Sequence, residues 1–248
     1  MHAFRALLIG TCLGTALTAA AADAQMLRSA DNAASRLYIG APQGLDAPRR
    51  IGDGETVWTE RVYPMDTARL SQDAPERNRP RHADAVPAGA VLFGIQLSDE
   101  AIVYCEPVDY DANVRRVQCL RDIDGNGTFD GGYLSRQRGI DSQFVIAFVH
   151  ALQSVDQVAY ETIERPAALE TTGRVRLEIE RDGPVFVRTI DEEEIEHEFR
   201  CSTPGDDPTV CDVLGVRLRV EPDGDAYRIS LIEAPEERGF VIQIDAGF

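Results

Sequence analysis

Arg174-Val175-Arg176-Leu177-Glu178-Ile179-Glu180 runs into Arg181-Asp182-Gly183 and on to Val185-Phe186-Val187. In an extended chain successive side chains point to opposite faces. Val175, Leu177 and Ile179 therefore share one face, and Arg174, Arg176, Glu178 and Glu180 share the other. Asp-Gly is a favoured hairpin turn, because glycine accepts a positive φ without steric cost. This stretch predicts an antiparallel hairpin with one buried and one solvated face. The same grammar recurs downstream. Val216, Leu218 and Val220 alternate with Arg217, Arg219 and Glu221. Pro222-Asp223-Gly224 turns the chain into Tyr227, Ile229 and Leu231, and Phe240, Ile242 and Ile244 close it. Residues 166–248 are thus expected to form an antiparallel β-unit of roughly five or six strands.

Upstream, Ala90 to Leu97 and Ala101 to Cys105 are apolar runs of strand length, and Arg115 to Leu120 alternates. Ser142 to Val155 fits either a helix face or a buried strand, and its neighbours favour strand. Residues 86–165 are expected to form a second β-unit. Residues 25–85 are expected to be irregular, with one short strand at Val57 to Tyr63 stopped by Pro64. Within them, 25–54 shows no sustained period, and the Pro- and Arg-rich Ser71 to Ala85 has the composition of a linker. The fold class is all-β, mainly antiparallel: a β-sandwich or two small stacked β-units.

Arg5 followed by the apolar Ala6 to Leu17 and by Ala22-Asp23-Ala24 has the layout of a secretory signal. Residues 1–24 are expected to be removed, so that the mature chain starts at Gln25. Cys12 follows Ile9-Gly10-Thr11, a poor approach to a lipidated cysteine. No later run is apolar and long enough for a membrane-spanning helix. The expected location is the periplasm or the exterior, where disulfides persist. Four cysteines remain. The local pairing Cys105–Cys119 and Cys201–Cys211 is favoured because each pair flanks a turn-rich segment, so that each bond staples a hairpin. A four-cysteine zinc site would need close pairs such as Cys-x-x-Cys, which are missing. The formal charge is −17, from 25 Lys+Arg against 42 Asp+Glu, and every basic residue is arginine. Such a field disfavours nucleic acid, itself a polyanion.

Asp122-Ile123-Asp124-Gly125-Asn126-Gly127-Thr128-Phe129-Asp130 carries side-chain oxygens at positions 1, 3, 5 and 9 and a glycine at position 6. Oxygen ligands at that spacing suit a hard cation such as Ca²⁺. Asp122, Asp124 and Asn126 would supply side-chain oxygens, Thr128 its carbonyl, and Asp130 an oxygen directly or through water. The stretch resembles the calcium loops of EF-hands, dockerins and integrin-type propeller repeats over these residues alone. It departs from an EF-hand where Tyr133 replaces the bidentate glutamate, and Gly131-Gly132 argues against an exiting helix. The strand-flanked propeller form fits better. The competing reading is a hairpin, because Asp124-Gly125 and Asn126-Gly127 are both turn dipeptides.

No other constellation carries chemistry. His82, His150 and His197 form no zinc-binding pair, and no Gly-x-Ser-x-Gly or phosphate loop occurs. Asp191 to Glu198 is a dense acidic run that reads as a solvated face. Alternation up to Phe248 resembles the closing strand of outer-membrane β-barrels. The sequence thus supports a non-catalytic envelope or binding protein with a structural calcium loop, its partner an envelope protein or a glycan. A secreted hydrolase using Asp and Glu residues, and a small outer-membrane barrel, are the alternatives.

Overall fold

The computed structural model describes residues 33–74, 86–97, 101–107, 116–136, 153–190, 197–201 and 207–244. The expected signal (1–24), His82, His150, most of Ser142 to Val155, residues 191–196 of the acidic run and the terminal Phe248 lie outside them. The described residues are all-β and antiparallel. In chain order the strands are β1 (Ala33–Gly40), β2 (Arg49–Ile51), β3 (Thr56–Pro64), β4 (Thr67–Leu70), β5 (Val91–Gln96), β6 (Ile102–Cys105), β7 (Arg116–Arg121) and β8 (Thr128–Arg136). They continue with β9 (Gln153–Thr162), β10 (Thr171–Glu180), β11 (Gly183–Ile190), β12 (His197–Arg200), β13 (Val210–Val213), β14 (Val216–Asp223), β15 (Ala226–Glu233) and β16 (Glu237–Ile244).

Six of these strands close on themselves. β5 pairs with β4, β4 with β9, β9 with β8, β8 with β7, β7 with β6, and β6 again with β5. Closure removes sheet edges, which otherwise expose unpaired backbone groups. Every wall strand contributes to one apolar cluster: Ala68 and Leu70, Leu92, Tyr104, Leu120, Phe129 and Val158. The other face of β5, β6 and β7 carries Phe93, Ile95, Val103, Cys105 and Cys119, which cluster with Ala33, Leu37, Ile39, Val62 and Ile242 of β1, β3 and β16. The sheet extends from β1 through β3, β10 and β11 to β12. A separate four-stranded sheet, ordered β13-β14-β15-β2, lies against that extension. Trp58, Val175, Leu177 and Phe186 meet Ile51, Val216, Leu218 and Ile229 in the core between the two layers.

Several expectations need correcting. The arrangement is a six-strand barrel with additional strands, where a plain sandwich or stacked units was expected. Residues 25–54 do not form an irregular leader throughout: Ala33–Gly40 is a strand with an alternating buried and half-buried pattern. Its period was masked in the sequence because a buried position holds the polar Ser35 while the outward positions include Tyr38. β1 pairs with β16 along eight residues, and its other edge meets β3 and, at Ala34, β5. Strands also pair across the expected unit boundaries, β3 with β10 and β2 with β15. The hairpins of the C-terminal third are as expected, with Val175 and Leu177 buried and Arg174 exposed. Leu231, expected inward, is exposed near the end of β15.

Both expected disulfides are present. Cys105 and Cys119 face each other across β6 and β7, as a hairpin staple should. Cys201–Cys211 does something else. Cys201 follows β12, the outer strand of the large sheet, and Cys211 lies in β13, the outer strand of the small one. The bond therefore clamps two layers together. Only ten positions separate the two cysteines, one at the outer edge of each layer.

Candidate functional site

The Asp122 loop connects β7 to β8 at one end of the barrel. Gly125 and Gly127 take φ of +74° and +85°. The left-handed region costs a residue with a Cβ roughly 1–2 kcal/mol, which explains glycine at both positions. Asp122 organises the turn. Its Oδ1 accepts the N–H of Gly125 at 2.7 Å and of Asn126 at 3.2 Å, and its Oδ2 accepts the N–H of Gly127 at 2.9 Å. Asp130 closes the far side by accepting the N–H of Ile123 at 2.8 Å. Asp124 accepts the N–H and side-chain amide of Asn126, and the Asn126 carbonyl oxygen accepts the N–H of Thr128. The five residues singled out in the sequence thus lie on this turn and at the start of β8. The loop exits directly into strand β8, in keeping with Gly131-Gly132.

A sixth residue joins them from far along the chain. The Tyr160 hydroxyl, on β9, donates to Asp122 Oδ2 at 3.1 Å. Its ring stacks on Phe129 with centroids 4.0 Å apart and planes 6° from parallel, and it sits 5.7 Å from Tyr104. The loop is therefore bolted to the aromatic filling of the barrel. Partial burial works to raise the pKa of Asp122, but the bonds from Gly127, Gly125, Tyr160 and Asn126 outweigh it. The carboxyl is held below its usual range. Burial, then the bond to Asp122, pushes the Tyr160 phenol well above its usual value. Asp122 is accordingly an ionised anchor.

These residues suit a cation in chemistry and charge, with three carboxylates and an amide oxygen on nine positions. A carboxylate has about four lone-pair sites. Those of Asp122 are taken up by four donors, whereas Asp124 and Asp130 are less heavily engaged. Among the described residues, no group of three or more His, Cys, Asp or Glu converges as a metal site. In its present arrangement the loop is a turn closed by its own amides.

A second polar constellation was not anticipated from the sequence. Glu60 on β3 is fully buried, and Arg188 on β11 is 1% exposed. Glu60 Oε1 accepts from Arg188 Nε at 2.7 Å and is also bonded by its Nη2. Oε2 accepts from Arg238 Nη2 at 2.5 Å and from Trp58 Nε1 at 3.1 Å. Arg238 on β16 also donates to the carbonyls of Leu214 at 2.8 Å and Gly40 at 3.2 Å. The Arg188 guanidinium lies 4.6 Å from the Phe240 ring centroid. Burial, reinforced by the Arg238 charge, lowers the pKa of Arg188 against the pull of Glu60. Gly173 is required beside the carboxylate, because a Cβ there would stand 2.9 Å from Glu60 Cγ. With both oxygens of Glu60 bonded and its side chain fully buried, this cluster ties β3, β11 and β16 of the large sheet together, and Arg238 carries it on to Leu214 of the small one.

Comparison of the chain with protein-family models, with curated proteins and with solved structures finds no match in any of the three.

Proposed function

We propose that the chain is an exported, non-catalytic envelope or binding protein whose Asp122 loop takes Ca²⁺ as a brace, its partner an envelope protein or a glycan. The observation that carries the calcium reading is the anchoring of Asp122. Loop amides and Tyr160 keep it ionised and fixed, on the same nine-residue stretch as Asp124, Asn126 and Asp130. A divalent ion relieves the repulsion among these carboxylates. Asp124, Asn126, the Thr128 carbonyl and Asp130 would hold it, and Asp122 would join them by releasing one of its amide donors. Export is supported by two disulfides and by the signal-like residues 1–24. No helix among the described residues is long and apolar enough to cross a membrane.

The alternatives draw less support. A glycosidase-type hydrolase needs two carboxyl groups facing each other across a cleft. Glu60, the most buried carboxylate among the described residues, is saturated by Arg188, Arg238 and Trp58. An outer-membrane barrel turns apolar residues outward and has at least eight strands. Here the six-strand barrel is filled by Leu92, Leu120, Phe129 and Val158.

Calorimetric titration and thermal melting with Ca²⁺ and with chelator test the reading, with Asp124→Ala as the control that leaves the Asp122 anchor intact. Extracellular modules bind Ca²⁺ with Kd of about 10⁻⁴–10⁻³ M. At 10 mM Ca²⁺ and a Kd of about 1 mM, linkage contributes about 1.4 kcal/mol of stability. Identical melts in both conditions, with no heat of binding, would remove calcium from the account.

A further inference from the structure

The outward face of β1, β3 and β16 holds a recess of about 350 Å³. Tyr38 on β1 stands opposite Tyr63 on β3 and opposite Gly239 on β16, and Gly40 stands opposite Glu237. Gly40, which carries no side chain, lies in the lining of the recess. Arg61 and Arg165 wall the hollow, with Tyr63, Gln43 and Glu237 between them.

Arg165 adopts φ of +46°, a conformation uncommon for a residue with a Cβ, and it precedes Pro166. Such strain persists only where surrounding contacts enforce it, and it clusters at ligand sites. The contacts are identifiable. Its guanidinium lies 5.1 Å from the Tyr38 ring centroid, and its Nη2 reaches Glu237 at 2.6 Å. Glu170, outside the lining, accepts from the Tyr63 hydroxyl at 2.8 Å and lies 3.4 Å from Arg61 Nε. Each guanidinium thus already has a carboxylate neighbour before a ligand arrives.

The lining also carries both signs of charge, with Arg61 and Arg165 beside Glu236 and Glu237, and with Glu170 against Arg61. A free anion would meet those carboxylates and the field of a chain carrying −17. A cation would meet the arginines. A hydroxyl both donates and accepts, so a polyol can bridge guanidinium donors to carboxylate and amide acceptors without breaking an ion pair. We propose that this recess binds a neutral saccharide unit. The proposal supplies the ligand class for the binding-protein reading and rests on it. It is independent of calcium, because the recess is built from β1, β3, β16 and the β9–β10 connection.

The test is calorimetry and saturation-transfer NMR of the intact exported protein. The probes are maltohexaose, cellohexaose and chitohexaose, with oligogalacturonate as the anionic arm. At least one neutral oligosaccharide is expected to bind at submillimolar Kd. Arg61→Ala and Arg165→Ala should each weaken it at least tenfold with unchanged circular dichroism, while Asp124→Ala leaves it unaltered. Binding of none of the neutral probes, preference for oligogalacturonate, or indifference to both arginine variants would overturn the site. Chromatography of the recovered sugar separates this outcome from the broader reading: a bound but cleaved oligosaccharide would keep the recess and refute the non-catalytic assignment.

Discussion

Replacing Glu60 with alanine should be among the most damaging single changes available in this chain. The variant leaves two guanidinium groups, Arg188 at 1% and Arg238 at 10% exposure, without their shared counter-charge. It also removes the acceptor of the Trp58 indole. Breaking a buried ion pair from one side costs about 3–5 kcal/mol, because the remaining charge stays desolvated. Two orphaned cations and an orphaned indole put Glu60→Ala at the upper end, at about 4–5 kcal/mol. For a domain of this size, about 4 kcal/mol corresponds to a fall in Tm of about 8–16 °C. The converse change is milder. Arg188→Met leaves Glu60 bonded to Arg238 and Trp58 and removes a cation whose Nη1 is buried without an acceptor among the described residues. It should fall within about 1.5 kcal/mol of wild type. Urea unfolding followed by tryptophan fluorescence measures both, since Trp58 is the sole tryptophan and sits in the cluster. Loss of less than about 1 kcal/mol in Glu60→Ala, or a larger loss in Arg188→Met than in Glu60→Ala, would refute the placement of a buried charge tie here.

Two further outcomes concern the loop. Tyr160→Phe keeps the stack on Phe129 but deletes the hydroxyl that holds Asp122, and should cost about 1.5 kcal/mol, a hydrogen bond to a charged group. Chemical denaturation reads this, and an unchanged midpoint would detach β9 from the loop. Acidification should destabilise the protein through Asp122. Its folded-state pKa lies below the unfolded one, so the unfolded chain takes the proton first as pH falls. The contribution is complete above the ordinary carboxylate value and is lost as pH drops through the depressed folded value. Asp122→Asn should flatten the stability curve in that window, and parallel curves for variant and wild type would contradict the assignment.

The C-terminal hairpins were legible because each rests on local information. Val175, Leu177 and Ile179 declare a face by alternation, and Asp182-Gly183 declares where the strand ends. The oxygen-bearing residues of the Asp122 loop were legible as a candidate set because all five fall within nine consecutive positions. Tyr160 was not, because it joins Asp122 from 38 positions away. Nor was Ala33–Gly40, where Ser35 occupies a buried position and Tyr38 an outward one, so composition hid the period. The tie of Glu60 to Arg188 spans 128 positions and that of Glu60 to Arg238 spans 178. Arg188 sits in a run that otherwise reads as an ordinary strand, and Glu60 reads as one more surface acid.

From the sequence alone, the strands of the C-terminal hairpins, the inward face of most of them and the partnering of the four cysteines could be determined. Each depends on side-chain periodicity, turn stereochemistry or short spacing along the chain. Which strand lies beside which was decided only in three dimensions. Backbone amides and carbonyls are alike in every strand, so a strand's edges carry no address. Packing of Leu92, Phe129 and Val158 inside the barrel, and of Trp58 and Phe186 between the layers, selects the neighbours. That selection closes six strands into a ring, makes Cys201–Cys211 a clamp between sheets, and assembles the recess between Arg61 and Arg165.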